Sequence, residues 1–147
     1  MPARIVESSH GEYVLSSDPE RLDLVEVHRA LSEDSYWARG RPFEVQQRAI
    51  EHSALVVGAY TPDGAQVGFA RMVTDLATWA WLCDVYVLRE HRAAGLGTAM
   101  VRAIVEHPDV VDIRIQFLAT RDAHGLYARF GYRPLDDPER WMARVAI

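Results

Sequence analysis

Between Leu82 and Glu106 the chain reads as a buried strand, a turn over Arg92-Ala93-Ala94-Gly95-Leu96-Gly97, and a helix that begins at the second glycine. An apolar strand passes there into a helix through a glycine-containing turn. That turn places a helix N-terminus at the strand's end. From Gly95 to Thr98 several backbone N–H groups have no partner within the helix, and the aligned peptide dipoles concentrate partial positive charge there. A pyrophosphate satisfies both. Gly95 and Gly97 lack a Cβ, which permits positive φ and lets an anion approach the main chain, and Arg92 adds a charge-assisted contact.

Two familiar phosphate-binding motifs are excluded by the same residues. A Walker A loop ends in Gly-Lys-Ser/Thr, and this chain contains no lysine. A dinucleotide fingerprint needs a third glycine where Met100 stands, within the first strand-turn-helix unit of its fold.

A second segment carries chemistry: Thr120-Arg-Asp-Ala-His-Gly-Leu-Tyr-Ala-Arg-Phe-Gly-Tyr132. Asp122 is suited to an N-cap and Gly131 to the C′ position, so a helix is expected from about Ala123 to Phe130. Ala123, Leu126, Tyr127 and Phe130 then share one stripe, and Tyr127 needs a partner for its hydroxyl.

The pattern Arg-x-x-Gly-x-Gly after a strand resembles the acyl-CoA-binding signature of the GNAT superfamily of N-acetyltransferases. The tyrosine helix ending at Gly131-Tyr132 resembles that superfamily's C-terminal motif. The resemblance implies that Arg92, Ala93, Ala94, Gly95, Leu96, Gly97 and Thr98 cradle acetyl-CoA and that the backbone of Val85, Tyr86 and Val87 holds its pantetheine arm. It further implies that Tyr127 protonates the departing thiolate. The family often has asparagine seven residues before the tyrosine. This chain has Thr120 there and no asparagine anywhere, so a shorter hydroxyl takes the cofactor-side position.

The remaining elements follow from periodicity. A first strand is expected at 12–16, and an amphipathic helix through Leu22, Val25, Val27, Ala30 and Leu31 after the Asp18-Pro19 start signal. A polar, aromatic connector covers 32–42, and a helix covers Phe43 to Glu51. Strands are expected at 55–60 and 67–74 around a Thr61-Pro-Asp-Gly64 turn, then at 79–87, 113–118 and 141–145. His107-Pro108-Asp109 stops the helix after the glycine turn. This order matches the GNAT layout over almost the whole chain. The resemblance implies an α/β (α+β) fold with a mixed central sheet of six to seven strands flanked by about four helices, as one domain over 1–147.

Composition narrows the partners. A net charge of −5 with scattered arginines disfavours nucleic acid, whose affinity rests on phosphate neutralisation. No apolar run approaches the ~20 residues needed to cross a bilayer, so no membrane association is expected. Arg4, Glu7, His10 and Glu12 interrupt any signal-peptide core, and a cytoplasmic location is expected. The lone Cys83, in an apolar run, reads as a buried inert thiol. The six histidines show no metal-ligand spacing, and no metal is expected.

The implied reaction is direct acetyl transfer to an amine, which needs a group to take the acceptor's proton. Asp84, a carboxylate on the central strand, is the candidate base, with a structural Asp as the equal alternative. Glu33, Asp34, Tyr36 and Trp37 are the candidate acceptor wall, where acids and aromatics would hold a cationic small-molecule amine. A solvated loop is the competing reading. The alternatives to a small-molecule enzyme are a protein or peptide N-acetyltransferase and a non-catalytic acyl-CoA-binding regulatory module. Aromatics such as Trp141 are compatible with a homodimer.

Overall fold

The computed structural model describes residues 3–146. The central strands form because their sequences are apolar on both faces. β3 (Leu55–Tyr60) is buried at every position; β4 (Gln66–Thr74) pairs with it and β5 (Trp79–Val87) pairs with β4, as an antiparallel meander. The Thr61 to Gly64 turn joins β3 and β4, closed by the Gly64 amide donating to the Thr61 carbonyl at 2.9 Å. The helices α1 (Leu24–Asp34) and α2 (Phe43–Glu51) cover one face, where Val27, Leu31 and Ile50 pack with Val56 and Phe69. The other face carries Leu55, Val57, Ala59 and Met72 against Met100, Val101 and Ile104 of α3 (Leu96–Val105).

Before the meander stands a hairpin of β1 (Glu7–His10) and β2 (Tyr13–Ser16). β1 has no apolar alternation to reveal it, since Glu-Ser-Ser-His is recruited only by pairing with β2. After α3, turns bury Val110 and Ile113 before the chain enters β6 (Ile115–Phe117). β6 is therefore shorter than expected, because Ile113 anchors a turn rather than a ladder. The sheet is mixed, in the order β1-β2-β3-β4-β5-β6, with all pairs antiparallel except β5-β6.

Four further expectations are corrected. Asp18-Pro19 opens a short 3-10 turn at Pro19–Arg21, and α1 starts only after Asp23, whose side chain accepts the Glu26 amide. Leu22 thus precedes the helix. α3 begins at Leu96, one residue before the expected glycine, because a 3-10 turn at Arg89–Ala94 already winds the chain. The tyrosine helix, α4 (His124–Ala128), is shorter than expected. Its N-cap is Ala123 rather than Asp122, and the Thr120 hydroxyl accepts the Ala123 amide. Gly131, at φ +91, does occupy the expected turn after α4, and the Tyr132 amide reaches back to the Tyr127 carbonyl at 3.3 Å. Finally, 141–145 is not a strand. Among the described residues it makes no ladder bonds, and every residue in it is exposed.

Candidate active site

Only the first three residues of β5 pair with β6, Trp79 with Ile115 through Trp81 with Phe117, which is the whole of β6. β6 ends opposite Trp81, and the second half of β5 has β4 on one side and, among the described residues, no strand on the other. This opening is the mouth of a cleft of about 1380 Å³, lined by Asp84 to Leu88, Arg92, Gly97, Thr120, Tyr127 and the 33–37 connector. The cleft brings the expected cofactor side, Tyr127 and the expected acceptor wall together.

The cofactor turn is built and braced by its neighbours. Gly95 lies in the left-handed region at φ +73 and forms the N-cap of α3, with no side chain capping the helix. The Ala99 amide donates to the Gly95 carbonyl at 3.2 Å, leaving the amides of Leu96, Gly97 and Thr98 without acceptors among the described residues. The hairpin holds the turn from behind. His10 Nε2 donates to the Ala94 carbonyl at 2.7 Å, and the Tyr13 hydroxyl and His91 Nδ1 are hydrogen-bonded at 2.8 Å. Arg92 Nε donates to the Val87 carbonyl at 2.8 Å, clamping the strand's end to the turn. The hairpin residues were missed by sequence reasoning, since nothing near His10 or Tyr13 signals a partner about eighty residues away.

The seven turn residues do not act alike. Only Arg92 and Gly97 line the cleft. The Leu96 side chain is fully buried in the core, so only its amide is available to a ligand. Ala93 and Ala94 form the 3-10 turn, and the Thr98 hydroxyl accepts from Arg129 at 3.4 Å. Gly97 is the informative position. Its backbone is not in the left-handed region, and a Cβ added there would meet nothing closer than Val87 Cγ2 at 3.9 Å. No protein atom requires a glycine at that point. The space that a side chain would fill belongs to the cleft.

Along β5, Val85, Tyr86 and Val87 offer their backbone at the cleft's edge. The Tyr86 ring packs 6.2 Å from Phe69, and burial pushes its phenol above the ordinary range. Opposite, the Tyr127 ring stands edge-on to Tyr132 at 6.1 Å, and its hydroxyl makes no hydrogen bond among the described residues. Burial pushes its pKa up to about 12, so the phenol keeps its proton.

Asp84 lies at the cleft floor, 4% exposed and at φ +55. It sits in a β-bulge: Phe69 pairs with Tyr86 and Arg71 with Cys83, so Asp84 and Val85 together oppose Ala70. Its Oδ2 accepts from Arg71 Nε at 2.7 Å and Arg41 Nη1 at 2.8 Å, and its Oδ1 from Trp37 Nε1 at 2.9 Å. Burial alone would raise its pKa, but the two guanidiniums outweigh that and hold it below the usual carboxylate range. Such a carboxylate is a weak proton acceptor, contrary to the expectation of a general base. Arg41 and Arg71 were not singled out in the sequence. Arg71 was readable, because a charge inside the buried run Gly68-Phe-Ala-Arg-Met-Val demands a partner. Neighbouring Cys83 is half-buried, and burial pushes its thiol up to about 11.

The acceptor wall also departs from expectation. Glu33 and Asp34 are each within 3.4 Å of Arg29, which already occupies the charge assigned to a cationic substrate. Tyr36 and Trp37 instead tie the connector across the cleft. The Tyr36 hydroxyl accepts the Arg121 amide at 2.9 Å, the Arg121 guanidinium lies 3.8 Å over the Tyr36 ring, and Trp37 reaches down to Asp84. Among the described residues no cluster of His, Cys, Asp or Glu could hold a metal ion, and no helix is long and apolar enough to cross a membrane.

Residues 51–134 match the sequence model of the acetyltransferase (GNAT) domain. A protein of Gibberella zeae, FG08082, described by inference as an acetyltransferase, is 31% identical over 116 residues, covering 67% of this chain. The match spans 65% of that relative's length. A crystal structure from Xanthomonas campestris pv. campestris, of an inferred acetyltransferase of the GNAT family, superposes with a TM-score of 0.87 at 46% identity, over 91% of this chain and 93% of that one. A GNAT family acetyltransferase from Brucella melitensis, crystallised in complex with acetyl-CoA, shares the fold with a TM-score of 0.64 at 20% identity, over 85% of this chain and 84% of that one.

Proposed function

The chain belongs to the GNAT family of acetyltransferases, and on that premise we propose that it transfers an acetyl group from acetyl-CoA directly to the primary amine of a small molecule. The observation that carries this reading is the cradle at the start of α3: acceptor-free amides at Leu96 to Thr98 beside a Gly97 whose missing side chain leaves open cleft. Those amides, with Arg92, suit a pyrophosphate. The acetyl-CoA complex of the Brucella melitensis relative supports the same ligand.

Bound acetyl-CoA supplies an activated acyl group. The chain's own residues orient it and protonate the leaving thiolate, and the amine's proton passes to solvent water at the mouth of the cleft. The backbone of Val85 to Val87 at the open edge of β5 is suited to the pantetheine arm, with Thr120 across the cleft. On this reading Tyr127, whose raised pKa keeps the proton on its phenol oxygen at physiological pH, donates it to the leaving thiolate. Asp84 serves as a positioning residue: it fixes Arg41, Arg71 and the Trp37 indole around the acceptor end. Tyr36 and Trp37 line that end, and Glu33 and Asp34 contribute there as partners of Arg29.

Amine-dependent thiol release from acetyl-CoA tests the reading, run in parallel on small primary amines and on peptides with free α-amines or lysines. Release with small amines is the expected result. Release only with peptides would move the acceptor to protein, and tight acetyl-CoA binding with no release on either set would make the chain a binding module. Tyr127→Phe should lower turnover about 100-fold, within the range of general-acid contributions, with acetyl-CoA affinity changed less than about twofold.

A further inference from the structure

The floor of the cleft carries more positive than negative charge. Arg41 and Arg71 both line it, with side chains only 20% and 13% exposed, and they share one buried carboxylate, that of Asp84. Arg71 Nε and Arg41 Nη1 converge on the same oxygen, Oδ2, while Oδ1 is taken by the Trp37 indole. Their other partners are neutral. Arg41 Nη1 also donates to Gln46 Oε1 at 2.8 Å, and Arg71 Nη1 donates to the Ser53 hydroxyl at 3.2 Å. Two guanidiniums on one carboxylate leave a unit of positive charge in a largely desolvated place, where an unmatched charge is costly. Donors are left over as well. Among the described residues, Arg41 Nε and Nη2 and Arg71 Nη2 meet no acceptor.

The other charges at this end do not cancel the excess. Glu33 and Asp34 are exposed at the rim and both are held by Arg29. Arg39, also exposed in the lining, has no acid partner among the described residues. Rim charges face water and salt, which screen them, whereas the charge on the floor is screened far less. Cys83 in the same lining stays a neutral thiol, pushed up to about 11 by burial. The missing negative charge is therefore left for a ligand to supply. A simple alkylammonium would instead bring a second positive charge to the same floor.

We propose that the acceptor is an amino-carboxylic acid, whose carboxylate docks on Arg41 and Arg71 while its amine faces the acetyl donor. The identity of this ligand as the acceptor rests on the acetyl-transfer reading; the carboxylate dock itself rests on the charge of the floor. Guanidinium N–H groups match the two oxygens of a carboxylate. The excess is one unit of charge, which a carboxylate neutralises and a phosphate monoester, at about −1.5 to −2, exceeds. The spacing suits a small molecule. Asp84 directly precedes Val85 to Val87 on β5, so at ~3.3 Å per residue the dock lies no more than ~10 Å along the strand from the backbone assigned to the pantetheine arm.

The test is calorimetric titration of the intact protein, in excess CoA, with glycine, alanine, leucine and phenylalanine, each paired with its primary amide. CoA carries no acetyl group, so binding is read without turnover, and each amide lacks the negative charge of its acid. At least one acid should bind about tenfold or more tighter than its amide. Arg41→Gln should erase that ratio with unchanged far-UV circular dichroism; if the variant does not fold, the ratio in the unmodified protein decides alone. Phosphoethanolamine should bind more weakly than the preferred amino acid. Amides bound as tightly as their acids, no binding of any acid at millimolar concentration, or a preference for phosphoethanolamine would overturn the proposal. Thiol release from acetyl-CoA separates the two readings. An acid that binds tenfold tighter than its amide yet gives no release contradicts acetyl transfer and supports the carboxylate dock, whereas release as fast with amides as with acids supports transfer and overturns the dock.

Discussion

Asp84 holds a left-handed backbone conformation that costs an ordinary residue about 1 kcal/mol or more, and it does so where its carboxylate meets two guanidiniums and an indole. The bulge turns the side chain into the cleft floor, and the ion pairs offset the strain. Asp84→Asn retains a residue that tolerates the conformation but leaves Arg41 and Arg71 without a counter-charge, so a loss of about 3 kcal/mol is expected in urea unfolding. The sign of the pH dependence follows from the lowered pKa. The contribution is fully present above the unfolded carboxylate's value near pH 4 and is lost as pH falls through the folded value. Acid titration of stability should therefore be shallower in Asp84→Asn than in the unmodified protein. Tyr127 makes the opposite kind of prediction. With its phenol raised to about 12, turnover should show no alkaline loss from this group between about pH 7 and 10. A rate that falls with a midpoint inside that range, and no longer does so in Tyr127→Phe, would contradict the raised pKa of the phenol.

At the scale of elements, the helix start of α3 separates stability from binding. Gly97→Ala places a methyl in open cleft, 3.9 Å from Val87, and removes the backbone freedom of a helical glycine. Thermal unfolding should show equal or greater stability, by up to about 1 kcal/mol. Destabilisation would mean that the glycine serves the fold. The strand, glycine turn and helix were legible in the sequence because apolar periodicity and two glycines coincide there, and Phe43 to Glu51 and Leu55 to Tyr60 matched residue for residue. β1 was not legible, since its polar residues gain strand structure only from β2. The last strand was expected from apolar character at 141–145, yet one chain gives it no partner. The ionic hub was half legible: Arg71 and Asp84 are charges on buried strands, but the contribution of Arg41, from a connector without periodicity, appears only in three dimensions.

Across the whole molecule, one geometric fact organises the site: β6 ends after three parallel pairs with the start of β5, and the chain beyond it leaves the second half of β5 uncovered. This gap exposes backbone at Val85 to Val87, sets the N-terminus of α3 at one side of the opening and places Tyr127 at the other. The His10 and Tyr13 braces, and the Tyr36 tie to Arg121, bind the outlying hairpin and connector to the same opening. On the proposed reading the opening is an acetyl-CoA site whose cradle requires the absence of a side chain at Gly97. Calorimetric titration of acetyl-CoA into the intact protein and into Gly97→Ala tests it most directly. Saturable one-site binding, weakened about tenfold or more in a variant that is at least as stable, is the predicted result. Absence of binding to the intact protein, or equal affinity in both, would contradict it.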